Sequence, residues 1–370
     1  MGVRKPPKGD SQLDMFAGAF SDVAIRDSQD TMEVPFLALS TNRFKPLHYK
    51  KGNVEMTVSA GEPYGIATVW DWDIILWLLS QIREGLDSGS DVSRKLRFNR
   101  HPFLKAARRK TDGEEYRRLK ESLERLKATS VETTIRAPKG SKTAMFSWIE
   151  YLQHEEDEDG NICDIVAVLP EWLYEAVTNH KLILTLHRDY FLLRGGYERW
   201  LYRLIRKQAG KKSRRWSFKQ LHERSGTTQL YKEFSRELKA LIERINDGDD
   251  DEVHKGTLLG YRLRIETKGR DRWLFAEWCP VKQESLFPEI PGQSSVQFLH
   301  LRTATYETAK ELLAGLNRKY DVYVLEQQWQ AACQKKGEKI RRPDDAFLSY
   351  VREVKRRSQV VNDNFSLTSL

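Results

Sequence analysis

Cysteine is scarce in this chain of 370 residues: Cys163, Cys279 and Cys333 stand far apart and are odd in number. That pattern excludes a disulfide framework, offers no paired zinc ligands and suits a reducing compartment. Long apolar runs are missing too. The longest candidate, Ile74-Ile75-Leu76-Trp77-Leu78-Leu79, falls far short of the roughly 20 residues that span a bilayer and sits beside Asp71 and Asp73. Arg4, Lys5 and Lys8 have no apolar stretch behind them, unlike a secretory signal. A cytoplasmic protein with no membrane partner is expected.

Catalytic signatures are equally absent. Gly140-Ser141-Lys142-Thr143 and Gly210-Lys211-Lys212-Ser213 lack the upstream glycine of a phosphate-binding loop and read as turns. The eight histidines form no His-x-His or His-Glu-x-x-His pair, so a metal centre, or a nicking endonuclease built on one, lacks its ligands. His187 near Tyr190 reads as structural, and the acidic run Glu155 to Asp159 as a solvated loop. No acid/base pair stands at readable spacing. No enzyme, cofactor or metal is expected.

What the chain does have is segregated charge, with a net value of +9. Arg194 to Arg244 holds 15 Lys/Arg against 5 Asp/Glu, and Arg94 to Lys127 holds 13 against 5, while acid gathers at 155–159 and 247–252. Basic blocks kept apart from acid suit a polyanion partner. Ordinary solvated helix surface would also look basic, so position must decide.

The pattern predicts an α+β chain: two tandem winged-helix domains followed by a small helical C-terminal region. Residues 1–35 read as a flexible arm, 36–190 as winged helix one and 191–280 as winged helix two. Residues 281–300 read as a Pro/Gly/Ser-rich linker, 301–357 as helical and 358–370 as a flexible tail. In the first copy a helix runs from Trp70 to about Gly85, capped by Asp71 or Asp73 and stopped by Gly85. Helices at 102–109 and 113–129 follow, the latter with Tyr116, Leu119, Leu123 and Leu126 on one stripe. The alternating stretches 131–135 and 144–152 then form a hairpin, and 163–169 a third strand. The order repeats: helices at 197–208, 217–224 and 230–245, then strands at 259–265 and 273–278 about a basic tip. Trp200, Tyr202, Trp216 and Phe218 fall at core spacing.

In helix-turn-helix geometry the third helix enters the major groove while neighbouring elements hold phosphates. The third helices carry Arg117, Arg118 and Lys120 in the first copy and Lys232, Arg236 and Lys239 in the second. Thr227, Thr228 and Gln229 lead into the latter and are types that bond base edges. Lys211, Lys212, Arg214 and Arg215 precede its helix pair, and Lys268 and Arg270 mark its hairpin tip. Double-stranded DNA is the expected partner.

The strings Leu186-His187-Arg188-Asp189-Tyr190-Phe191, Glu198-Arg199-Trp200-Leu201-Tyr202-Arg203-Leu204 and Lys207-Gln208-Ala209-Gly210 together resemble the plasmid replication initiator protein A family. Tyr116-Arg117-Arg118-Leu119 and Leu126-Lys127-Ala128-Thr129 support the resemblance, which covers roughly residues 36–280. It implies a plasmid protein that binds repeated origin sites, helps open them and recruits host proteins such as the replicative helicase machinery. It also implies that the second winged helix reads bases, while the first serves DNA contacts or a homodimer. A winged-helix transcriptional repressor is the alternative. Separately, Gln12-Leu13-Asp14-Met15-Phe16 resembles the bacterial sliding-clamp-binding peptide, in which Gln12, Leu13, Met15 and Phe16 would dock. Gln283-Glu284-Ser285-Leu286-Phe287 has the same form, with Gln283, Leu286 and Phe287 as anchors. Either segment could instead pack its apolar pair on its own domain.

Overall fold

The computed structural model describes residues 15–18, 20, 23–248, 256–269, 271–279, 301, 303–313 and 343–366, with isolated helical positions at 322, 325, 326, 329 and 333. One compact unit holds both winged helices, and a second holds the C-terminal helices.

The chain opens with a short strand, β1 (Phe16–Ala17), then β2 (Arg26–Ser28) and α1 (Gln29–Glu33). This corrects the expectation of a flexible arm through residue 35. Phe16, Ile25, Met32 and Val34 are all buried, so the segment contributes to the core rather than hanging from it. A hairpin follows, β3 (Leu47–Lys51) and β4 (Val54–Ser59). Next comes α2 (Trp72–Asp87), whose residues are buried almost all round, as befits a central helix. Neither Asp71 nor Asp73 caps it with a side-chain hydrogen bond. Asp71 instead takes both Arg125 nitrogens at 2.8 and 2.9 Å, and Asp73 takes Arg109 at 2.7 Å. Gly85 does not stop the helix either. A Cβ there would stand 2.8 Å from Cζ of Phe16 and 2.7 Å from Val92, so this glycine makes a seat for the Phe16 ring.

Then come β5 (Lys95–Asn99), α3 (Arg100–Ala106) and α4 (Gly113–Ala128). Asp112 caps α4 by accepting from the Glu115 amide at 3.0 Å. The strands β6 (Ser130–Thr133) and β7 (Ala144–Ser147) pair with each other, as expected, but they are not the wing. They extend the β3–β4 hairpin into a sheet of order β3-β4-β6-β7. The first wing is made by β8 (Tyr151–Glu156) and β9 (Ile162–Val168), with the acidic run at its tip. Strand β5, which sequence reading passed over as a basic segment, pairs with β9 and completes the order β5-β9-β8. Lys95-Leu96-Arg97-Phe98-Asn99 alternates cleanly, burying Leu96 and Phe98. The half ends with α5 (Glu171–Thr178) and β10 (Ile183–Thr185), the latter paired with β2. Phe36, Trp72, Trp148 and Trp172 form an aromatic cluster of edge-on and tilted ring pairs, with centroids 4.7–6.4 Å apart.

The second half is α6 (Gly196–Ala209), β11 (Ser213–Ser217), α7 (Phe218–Ser225), α8 (Tyr231–Asp247), β12 (Tyr261–Lys268) and β13 (Asp271–Trp278). Its sheet has the order β11-β13-β12, the same as β5-β9-β8: first strand, last strand, middle strand. The winged-helix fold is thus present twice in one chain, in tandem. Trp200, Tyr202, Trp216 and Phe218 are buried, as their spacing implies.

The boundary near residue 190 is not an energetic one. Helix α6 packs on α1, and its arginines reach into the first half. Arg203 pairs with Asp27 at 2.6 Å and donates to Thr31, while Arg199 pairs with Asp73; all four side chains of the two pairs are buried.

In the C-terminal unit, α9 (Thr303–Leu313) and α10 (Pro343–Ser366) enclose a small core of Tyr306, Ala309, Trp329, Phe347 and Val351. Helix α10 continues to Ser366, beyond the expected end at 357, because no glycine or proline interrupts it. The 281–300 linker lies outside the described residues.

Candidate nucleic-acid interface

The second helix-turn-helix is assembled by local chemistry. Ser217 and Gln220 form a reciprocal capping box at the start of α7, with bonds of 3.2 and 3.0 Å. Gly226 ends α7 in the left-handed conformation at φ 63°, where a side chain would be strained. Helix α8 buries Phe234, Leu238, Leu241, Ile242 and Ile245, which turns Lys232, Arg236 and Lys239 outward. Lys239 is held by Glu243 at 3.3 Å. Lys232 and Arg236 have no ion pair among the described residues and are exposed.

The wing comes to the same place. Antiparallel pairing runs to Lys268 opposite Asp271, and Arg272 then donates to Ser235 of α8 at 3.1 Å. Lys219, at the start of α7, meets Asp271 at 3.1 Å. Lys219 and Arg272 thus stand with Lys268 at the hairpin tip, and Arg272 links that tip to α8 next to Arg236, although neither residue is marked by the sequence pattern. Arg272 lies one residue beyond the Lys268–Asp271 tip, so hairpin register was the signal that would have found it. Arg270 lies outside the described residues.

The turn residues divide. Both ends of the Gln229 amide are engaged: Tyr197 donates to its oxygen at 2.7 Å, and its nitrogen donates to Glu237 at 3.0 and 3.1 Å. Thr227 accepts from the Gln229 amide at 3.2 Å. These two brace the entry to α8, and burial pushes the Tyr197 phenol up, keeping it a neutral donor. Thr228 alone is exposed.

Of the flanking cations, Lys211 and Lys212 stand elsewhere. Ser213 pairs with Glu277 and Ser217 with Trp273, so β11 starts at the end of the sheet remote from the wing tip. Lys211 and Lys212 precede that start, on the order of 20 Å from the tip at about 3.3 Å per strand residue. Arg214 donates to the Gln208 carbonyl at 3.2 Å, and Arg215 lies over the Trp273 ring at 5.0 Å and near Glu266 at 3.6 Å.

The first copy has the same topology with its cations answered. Arg117 pairs with Glu121, Arg118 with Glu114 and Glu115, and Lys120 with Glu156 of the wing at 2.8 Å. The Lys120 bond holds that lysine above, and Glu156 below, their ordinary values.

Of the clamp-like segment, Met15 is exposed while Phe16 is buried, with β1 parallel to β5 and Phe16 opposite Leu96. Gln12 and Leu13, and the second segment's Gln283, Leu286 and Phe287, lie outside the described residues. No described helix is long and apolar enough to cross a membrane. Among the described residues, no group of three or more His, Cys, Asp or Glu is placed to hold a metal.

Comparison with known proteins agrees with this architecture. The chain is 32% identical over 228 residues to a protein of Wigglesworthia glossinidia brevipalpis described as a replication protein, covering 60% of this chain and 82% of that one. A crystal structure of domains 2 and 3 of RctB superposes with a TM-score of 0.51 at 16% identity, covering 69% of this chain and 99% of that one, a likeness of fold. A second structure of the same two RctB domains aligns with a TM-score of 0.46 at 14% identity, over 68% of this chain and 96% of that one. The model of the family Replication initiator protein A matches residues 26–246, which is more than half of the chain. With the paired winged helices and a relative of this kind, the chain belongs to the replication initiator protein A family.

Proposed function

We propose that this initiator binds repeated double-stranded sites at a plasmid origin, with α8 of the second winged helix in the major groove. One observation carries the reading. Lys232 and Arg236 stand one helical turn apart on α8, unpaired and exposed, which is mildly unfavourable for an isolated helix and is relieved by a polyanion. Arg272 reaches Ser235 beside Arg236, and Lys268 and Lys219 stand at the tip of the same hairpin, so phosphate contacts there would hold the register while Thr228, Lys232 and Arg236 meet base edges. Gln229, engaged by Tyr197 and Glu237, is a brace in this reading. The paired cations of α4 make the first winged helix a weaker DNA surface.

Recruitment of the sliding clamp and of helicase machinery belongs to the same proposal. A clamp that took Phe16 would first have to strip it from its seat beside Gly85, which favours Gln283, Leu286 and Phe287 as the clamp contact. The DNA reading is tested by selecting duplexes from a random pool and titrating the winner against unselected duplex across a salt series. Affinity falling steeply with salt, together with sequence preference, is the expected result. Absence of both would remove the reading.

A further inference from the structure

The helix-turn-helix turn of the second winged helix is not finished by its own domain. Gly226 packs so closely on residues from the first half that a Cβ there would meet Pro35 at 2.6 Å and Leu47 at 3.2 Å. The Gly226 carbonyl, left over at the end of α7, accepts from Nη1 of Arg43. Two residues earlier, Arg224 donates to the Glu33 carbonyl at 3.2 Å and meets its carboxylate at 3.3 Å. Glu33 in turn accepts from Gln208 of α6 at 2.9 Å. Arg43 is itself fixed, since its backbone oxygen accepts from Ile66 at 2.8 Å and its Nε donates to the Lys45 carbonyl at 3.2 Å. Segment 33–47 therefore forms a cradle under the turn from which α8 departs.

A base-reading helix must be aimed to within a fraction of an ångström, because hydrogen bonds to base edges tolerate little displacement. Attraction to phosphates is long-ranged and tolerates more. We propose that Arg43 and Glu33 are positioning residues for DNA-sequence discrimination: the first half of the chain aims the reading helix of the second. This rests on the DNA reading above. The Arg43 guanidinium is turned onto a carbonyl of the turn, so its contribution lies in aim rather than in charge offered to phosphate. The two winged helices thus act on DNA as one oriented body, even if α8 alone touches the bases.

The test uses full-length protein carrying Arg43→Ala or Glu33→Ala, each checked for unchanged circular dichroism and cooperative melting. Affinity is measured for a duplex selected by the wild type from a random pool and for an unselected duplex, across a salt series. Arg43→Ala should lower affinity for the selected duplex about tenfold, the worth of one base contact. Affinity for unselected duplex and the salt slope should stay within about twofold of wild type. Amide exchange at residues 226–230 should quicken in the same variant, and Glu33→Ala should shift both readouts the same way by less. A wild type that selects no sequence overturns the DNA reading and this proposal with it. Undiminished discrimination in both variants, or equal loss on both duplexes with a shallower salt slope, overturns the positioning role alone.

Discussion

The two winged helices share a strand order, yet their third helices differ at the cations of the first turns. Those of α4 are paired, whereas among the described residues Lys232 and Arg236 of α8 are not, and only further along does α8 pair Lys239 with Glu243. In α4 the spacing is complementary: Glu114 to Arg118 and Arg117 to Glu121 are four apart, and Lys120 reaches Glu156 across to the wing. In α8 the corresponding spacing places Lys232 beside Arg236, like beside like. A fold repeated twice has kept its apolar stripe in both copies while its solvent face answers to different demands. Topology alone therefore does not favour either copy as the DNA surface proposed above; the unpaired Lys232 and Arg236 favour the second.

The comparison breaks most forcefully where the halves are joined. If they were independent, Asp27→Ala would melt only the first. Because it strands the buried Arg203, the expected loss is about 3–5 kcal/mol in one cooperative transition of both halves, read by urea unfolding with tryptophan fluorescence and circular dichroism together. Two separate transitions would restore the independent view. Next in size is Phe16→Ala, which empties the seat beside Gly85 and should cost about 3 kcal/mol in the same assay. A change within about 0.5 kcal/mol would return Phe16 to the status of a loose tail.

The electrostatic contrast is sharpened by paired substitutions. Lys232→Ala with Arg236→Ala should weaken selected-duplex binding by about 1–3 kcal/mol per lost base contact, whereas Arg117→Ala with Arg118→Ala should have a much smaller effect. Reversal of that ranking in fluorescence anisotropy would move the reading surface to the first copy. The smallest effect concerns His187, in the segment between the halves. Burial holds its imidazole below the ordinary value, and Nδ1 accepts from the Asp189 amide at 3.2 Å, so the folded state favours the neutral ring. That contribution is complete above the ordinary histidine range and is lost as pH falls through and below it. The melting temperature should thus drop slightly less between pH 7 and pH 5 in His187→Gln than in wild type; a larger drop in the variant would contradict the neutral ring.

Most of the helices were legible because each solves a local problem that periodicity records. Tyr116, Leu119, Leu123 and Leu126 declare α4, and Ser217 with Gln220 declares the start of α7. The first strand of each winged helix was not, since β5 and β11 are five residues long with two Lys or Arg each, so charge masked the alternation of β5, and β11 buries only Trp216. The first wing was misassigned for a different reason. Strands β6 and β7 are a true hairpin, but their partner β4 lies more than 70 residues upstream, and sequence spacing carries no record of such pairing. In the site, the outward cations of α8 could be read from the helix stripe. That Gln229 would be engaged by Tyr197, or that Arg43 would reach Gly226, depends on contacts 32 and 183 residues apart in sequence.

The buried pairs between α6 and the N-terminal half also set an order of events during synthesis. Asp27 leaves the ribosome long before Arg203 exists, and Asp73, which meets Arg109 within the first half, must still wait for its second partner Arg199. At about 5–20 residues per second the wait is on the order of ten seconds. During that interval the face of α1 on which α6 packs stays uncovered, and Asp27 with it. A chain truncated before α6 would keep Asp27 without its Arg203 partner permanently, so the first half is not a unit that can be completed on its own.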